Sequence, residues 1–139
     1  MSYKYSVTSL SELNTCDYRL IKLFTEAIKY MDIRIIYGHR GKTVQNALYD
    51  AGRSQVQFPD SKHNSMPSKG IDACPHPCDW EALDKGDLKE WGRFYAFVGF
   101  IRALAVKMDI PLRCGADWDG DFNLKDQQFD DLAHFEIKE

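Results

Sequence analysis

Two short runs of this chain carry side chains suited to metal-assisted chemistry. One is Ser61-Lys62-His63-Asn64-Ser65-Met66-Pro67-Ser68-Lys69-Gly70-Ile71-Asp72, and the other is Asp131-Leu132-Ala133-His134-Phe135-Glu136 near the C-terminus. Together they offer two imidazoles and a carboxylate as ligands for one zinc ion. Zinc held by three nitrogen or oxygen ligands keeps a fourth position open for water, as a catalytic site requires. Asp131 adds a second carboxylate three residues before His134. On residue types the chain reads as a small metallohydrolase. Each residue also has a plainer use, since a lone histidine or aspartate is commonly a surface or hydrogen-bonded group, and spacing alone does not choose between these.

Two other constellations compete. Cys74-Pro75-His76-Pro77-Cys78 places soft ligands on alternate positions of an extended run, but the spacing is not that of a zinc ribbon and a fourth ligand is lacking. Cys74 also reads as a small core residue. Asp117, Asp119, Asp121 and Asn123 alternate like the opening of a calcium loop, yet the glycine falls at Gly120 and no glutamate closes it. A solvated acidic turn is the simpler expectation there. No Gly-x-Ser-x-Gly elbow or phosphate loop exists to support a serine nucleophile or nucleotide chemistry.

These residues need elements to hold them. Leu20, Leu23, Phe24, Ala27, Ile28 and Met31 recur at helical spacing and predict a first amphipathic helix. Ile33 to Tyr37 is short and β-branched, a strand closed by Gly38. Thr43 to Ala51 reads as a helix with Thr43 as N-cap and Gly52 as its stop. Arg53 to Lys69 is rich in Ser, Pro, Asn and Gln and reads as an ordered loop. Ile71 to Cys74 fits a strand. Asp79 can cap a helical region reaching Met108, interrupted near Gly86, whose apolar stripe includes Trp91, Phe94, Val98 and Ile101. Strands follow at Leu112 to Cys114 and Ala133 to Lys138. In the last, His134 and Glu136 share a face because side chains alternate along a strand. The pattern predicts an α+β fold, a small antiparallel sheet with helices packed against it, in a single domain over residues 1–139.

The 139 residues suit one compact core. A net charge of -3 and a pI near 5.8 argue against a nucleic-acid partner. Charge is unevenly spread. Residues 33–71 carry six bases against Asp50 and Asp60, while residues 115–139 carry eight acids against Lys125 and Lys138. A basic strip beside a metal site favours a carboxylate-bearing substrate, and solvated faces are the bland alternative. The first ten residues lack an apolar leader, and the longest apolar stretch, Phe94 to Ile101, is too short to cross a bilayer, so stable membrane insertion is not expected. Folding in a cytosol would leave Cys16, Cys74, Cys78 and Cys114 as thiols.

The run Ser61-Lys62-His63, then Pro67-Ser68-Lys69-Gly70-Ile71-Asp72, then His134-Phe135-Glu136, resembles the zinc-dependent peptidases that include D-alanyl-D-alanine carboxypeptidases of the vancomycin-resistance type. It is most similar to the small bacteriophage endolysins that act as L-alanyl-D-glutamate endopeptidases. Further matches lie in Gly38-His39-Arg40, Gln45 to Tyr49, Gly52-Arg53-Ser54, Pro75 to Trp80 and Gly115 to Asp121, so the likeness spans nearly the whole chain. Two positions depart from the family pattern. His63 and Asp72 stand nine apart, wider than the usual spacing, and Gly70 replaces the usual alanine. That swap should preserve packing while loosening the backbone.

Carried over by position, the resemblance implies Zn2+ held by His63, Asp72 and His134, with Asp131 as general base rather than its neighbour Asp130. It implies that Glu136 orients a ligand histidine, and that Arg40 stabilises an oxyanion or grips a carboxylate. Ser61 and Gln45 are weaker candidates for substrate contacts. The implied protein is a monomeric endolysin that cleaves the peptide stem of peptidoglycan. It would accumulate in the host cytoplasm and act on the wall after membrane permeabilisation. A D,D- or L,D-carboxypeptidase would use the same motif. A wall-binding module that keeps zinc would have no use for Asp131.

Overall fold

The computed structural model describes residues 2–126 and 131–139. Its frame is a four-stranded antiparallel sheet of β1 (Ile33–Tyr37), β2 (Gly70–Pro75), β3 (Leu112–Cys114) and β4 (His134–Ile137), in the order β1-β2-β4-β3. The helices among the described residues are α1 (Val7–Leu13), α2 (Tyr18–Ala27), α3 (Lys42–Asp50), α4 (Trp80–Asp84) and α5 (Leu88–Lys107). The α+β class and the antiparallel sheet are as the sequence predicts. No helix among the described residues is long and apolar enough to cross a membrane.

Alternation along the strands divides the sheet into two faces. Ile35, Ile71, Ala73, Phe135 and Ile137 face a core shared with Leu20, Leu23 and Phe24 of α2 and with Phe94, Phe97 and Ile101 of α5. Phe135 sits at its centre, edge-on to Phe24 at 5.7 Å and to Phe97 at 5.8 Å. Each fully buried aromatic of this kind contributes roughly 1.5–3 kcal/mol of burial. The opposite face carries Asp72, His134 and Glu136, so the same alternation that builds the core turns the chemistry outward.

Several boundaries differ from the sequence-based expectation. Helix α1 was not predicted. It is capped by the Ser6 side chain and lies along the open edge of β1. There Ser9 Oγ accepts from Ile35 N at 3.1 Å, Glu12 Oε1 from Gly38 N at 3.0 Å and Thr15 Oγ1 from His39 N at 2.8 Å. The short helix thus covers an edge whose N–H groups would otherwise be open. Helix α3 begins one residue earlier than predicted, with Gly41 as N-cap, so Thr43 lies inside the helix. The predicted break near Gly86 is real: it has φ +78 and separates α4 from α5.

Candidate active site

The approach to the site is built by the long loop after α3. It ends in a short 3-10 turn, Lys62–Asn64, opened by a capping box in which Ser61 Oγ accepts from His63 N and Asn64 Oδ1 accepts from Ser61 N. The turn lays His63 fully buried against β2. Register does the rest: Asp72 pairs directly with His134 across β2 and β4.

Three atoms converge. His63 Nε2 lies 3.1 Å from Asp72 Oδ1 and 3.2 Å from His134 Nδ1, and His134 Nδ1 lies 3.1 Å from Asp72 Oδ1. The outer nitrogens decide what faces inward. His63 Nδ1 meets the Gly38 carbonyl at 2.7 Å, and His134 Nε2 meets Glu136 Oε1 at 2.8 Å. A carbonyl and a carboxylate accept, so both outer nitrogens carry the proton. In neutral imidazoles this leaves Nε2 of His63 and Nδ1 of His134 as bare acceptors beside a carboxylate oxygen. Three acceptors at such separations require a cation between them, either a proton or a metal. Ligands about 2.1 Å from a tetrahedral metal lie about 3.4 Å apart, close to the triangle seen here. The residues present fit a metal ion.

Electrostatics points the same way. Burial acts to raise the Asp72 carboxyl, but the charges and hydrogen bonds of His63 and His134 outweigh it and hold the group well below the carboxylate range. Burial acts to lower His134, yet its bonds to Asp72 and Glu136 push it up to about 9. Asp131 lines the same cleft, and burial, reinforced by the Asp72 charge, raises its carboxyl. A carboxyl with a raised pKa beside the ligands suits proton transfer.

The supports of His134 were not legible as such. Glu136 Oε2 accepts from Arg113 at 2.7 Å, and Trp118 stacks on His134 at 5.5 Å with planes 36° apart. Gly115 ties the His134 segment to the Asp131 segment: its N–H donates to the His134 carbonyl at 2.8 Å and its carbonyl accepts from Asp131 N at 3.0 Å. The Trp118 segment entered the sequence reading only as part of a family match, and Arg113 had no signal, because its partner is set by strand register. Gly70 lies beneath both histidines. An added Cβ would stand 3.2 Å from His134 Cε1 and 3.3 Å from His63 Cδ2, so glycine here sets the room around the ligands more than the looseness of the backbone.

The remaining expected residues divide. Arg40 lines the cleft, is buried, and lies over the Tyr37 ring at 5.2 Å, with its Nε lacking a hydrogen-bond partner. Ser61 lines the cleft while capping the turn. Gln45 corrects the expectation of a substrate contact. It is fully buried, with Nε2 donating to Ser54 Oγ and the Val56 carbonyl and Oε1 accepting from Asn64. Its amide is spent on holding the loop wall. Asp130 lies outside the described residues. The acids of Asp117, Asp119 and Asp121 come together, but Asp117 is buried and bound to Arg102 at 3.0 Å. Cys74, His76 and Cys78 form no metal-binding group among the described residues, and Cys74 is a buried core thiol. All four cysteines are free.

A family model described as phage L-alanyl-D-glutamate peptidase matches residues 1–138. Among solved structures, the Serratia marcescens L-Ala D-Glu endopeptidase ChiX shares the fold, with a TM-score of 0.69 and 19% identity over 97% of this chain and 90% of that one. Comparison with curated proteins finds no match.

Proposed function

The chain belongs to the family of phage L-alanyl-D-glutamate peptidases, and from that premise we propose that it is an endolysin hydrolysing the peptide stem of peptidoglycan at the L-alanyl-D-glutamate bond through a zinc site made of His63, Asp72 and His134. The observation that carries this is the triangle of three acceptor atoms within 3.2 Å of one another in a cleft of about 680 Å³. Two imidazoles and a carboxylate are a donor set suited to zinc with one position left open. When bound, zinc would act as a Lewis acid and lower the pKa of a coordinated water from about 15.7 to about 7.

The chain's own residues supply the rest. Asp131 takes a proton from the attacking water and returns it to the leaving amine, a role worth about 10²–10⁴-fold. Arg40 offers an unpartnered, desolvated Nε–H to the oxygen that gains charge, or to the carboxylate next to the scissile nitrogen. Glu136 keeps the proton of His134 on Nε2, and the Gly38 carbonyl does the same for Nδ1 of His63. Ser61 fixes the turn that presents His63. The protein works as a monomer, gathers in the host cytoplasm and meets the wall once the membrane is breached.

Metal removal tests the reading. Chelator-treated protein should lose lysis of purified sacculi and regain it with stoichiometric zinc. Asp131→Asn should keep the zinc and stay inactive. Lysis that survives complete zinc removal would refute it.

A further inference from the structure

Helix α1 and the turn after it do more than cover a sheet edge, and each of their side-chain bonds leads to a different place. Ser9 Oγ holds the Ile35 amide in mid-strand, and Glu12 Oε1 holds the amide of the Tyr37–Gly38 peptide. Thr15, in the turn that follows the helix, holds the next peptide. Its Oγ1 accepts from His39 N at 2.8 Å. That N–H belongs to the same planar unit as the Gly38 carbonyl. The Gly38 carbonyl in turn accepts from His63 Nδ1 at 2.7 Å. The Thr15 hydroxyl donates its own proton to the Glu12 carbonyl at 2.7 Å. One line of bonds thus runs from His63 through a single peptide group to Thr15 and on to the last turn of α1.

The surroundings keep this line in place. Gly38 is buried, and an added Cβ there would overlap the Glu12 carbonyl and Thr15 Oγ1. Glycine lets the turn after α1 press on the peptide this closely. From the other side, the His63 carbonyl accepts from Arg40 N at 2.8 Å. The Thr15 carbonyl accepts from Ser68 N at 2.9 Å, in the stretch that joins His63 to Asp72. Residues 38–40 therefore lie as a splint between α1 and the His63 turn.

We propose that Thr15 is a positioning residue for His63 as a metal ligand, acting through the Gly38–His39 peptide. This rests on the metal reading above. A peptide whose N–H is bound carries more negative charge on its carbonyl, because linked hydrogen bonds polarise one another. A stronger acceptor at Nδ1 makes Nε2 a better electron donor and holds the ring toward Asp72 and His134. Glu136 does this for His134 with a carboxylate in direct contact. His63 has a neutral carbonyl in that place, and Thr15 strengthens it.

Zinc affinity, read by competition with a chromophoric chelator, tests this without reference to activity. Thr15→Val keeps the shape and removes the acceptor. It should weaken zinc binding about tenfold, the low end of what outer partners of metal ligands contribute. Thr15→Ser should restore the wild-type affinity. Ser9→Ala removes a hydroxyl that holds the same strand edge at a peptide reaching no ligand. It should lower thermal stability and leave zinc affinity unchanged. One measurement needs no variant: coupling is reciprocal, so zinc should slow hydrogen exchange of the His39 amide more than that of the Ile35 amide. Wild-type affinity in Thr15→Val, equal zinc losses in Thr15→Val and Ser9→Ala, or equal slowing at the two amides would overturn the role of Thr15. A wild type that binds no zinc would remove the metal site itself, and this role with it.

Discussion

Glu136 gives one oxygen to His134 and the other to Arg113. That division keeps the imidazole proton on Nε2 and the Nδ1 lone pair at the metal position. Glu136→Gln should weaken zinc binding about 10–100-fold, read by competition with a chromophoric chelator, because an amide orients the ring less strongly. An unchanged affinity would make Glu136 a bystander. Asp131→Asn tests a different link: lysis should fall about 10²–10⁴-fold at full zinc occupancy. His63, Asp72 and His134 stood out in the sequence as residue types suited to a metal, and the family resemblance joined them into one group. Gln45 was misread because an amide on a helix gives no sign of which way it is buried. Arg113 was missed because its partner is chosen by pairing across strands far apart in sequence, and Trp118 because only the fold of the turn after β3 lays its ring on His134.

At the scale of elements, β3 and the turn after it form the clamp of the site. Gly115 touches the Asp131 backbone so closely that an added Cβ would collide with the Asp131 carbonyl and stand 2.8 Å from Asp131 Cβ. Gly115→Ala should therefore cost lysis more than zinc affinity, since it displaces Asp131 while the three ligands sit on β2, β4 and the His63 turn. A variant with zinc affinity and lysis lost together would place the damage in the sheet instead. Strands and long helices were legible through period and β-branched runs, and Gly86 marked the break between α4 and α5. Helix α1 was hidden by its length and by exposed Val7 and Leu10. It is held by capping and by the edge of β1, and neither leaves an apolar stripe.

The whole molecule is tied at its back by an ion-pair group. Asp17, the N-cap of α2, accepts from Arg19 N and Nε, and Arg19 and Lys69 both reach Glu139. The hydrogen bond from Arg19, working against burial, holds the Asp17 carboxyl below its ordinary value. A carboxylate depressed in the fold contributes stability that is present above its unfolded pKa of about 3.9 and is lost as pH falls through the folded value. Thermal unfolding should thus show a stability loss below about pH 4 that Asp17→Asn reduces, at a cost near neutral pH of about 1 kcal/mol from the lost pairing with Arg19 and Lys69, since Asn caps a helix about as well as Asp. An acid limb identical in the variant would assign that loss to other carboxylates. Sheet order and register, which bring residues 63, 72 and 134 together, were beyond reach of periodicity. The family resemblance supplied that convergence in advance of any geometry.

The most direct measurement is mass spectrometry of fragments released from purified peptidoglycan by the zinc-loaded protein. Glycan strands ending in L-alanine, with free peptides beginning at D-glutamate, are the predicted products. Release of D-alanine alone, or of no fragment from protein carrying one zinc, would contradict the assignment.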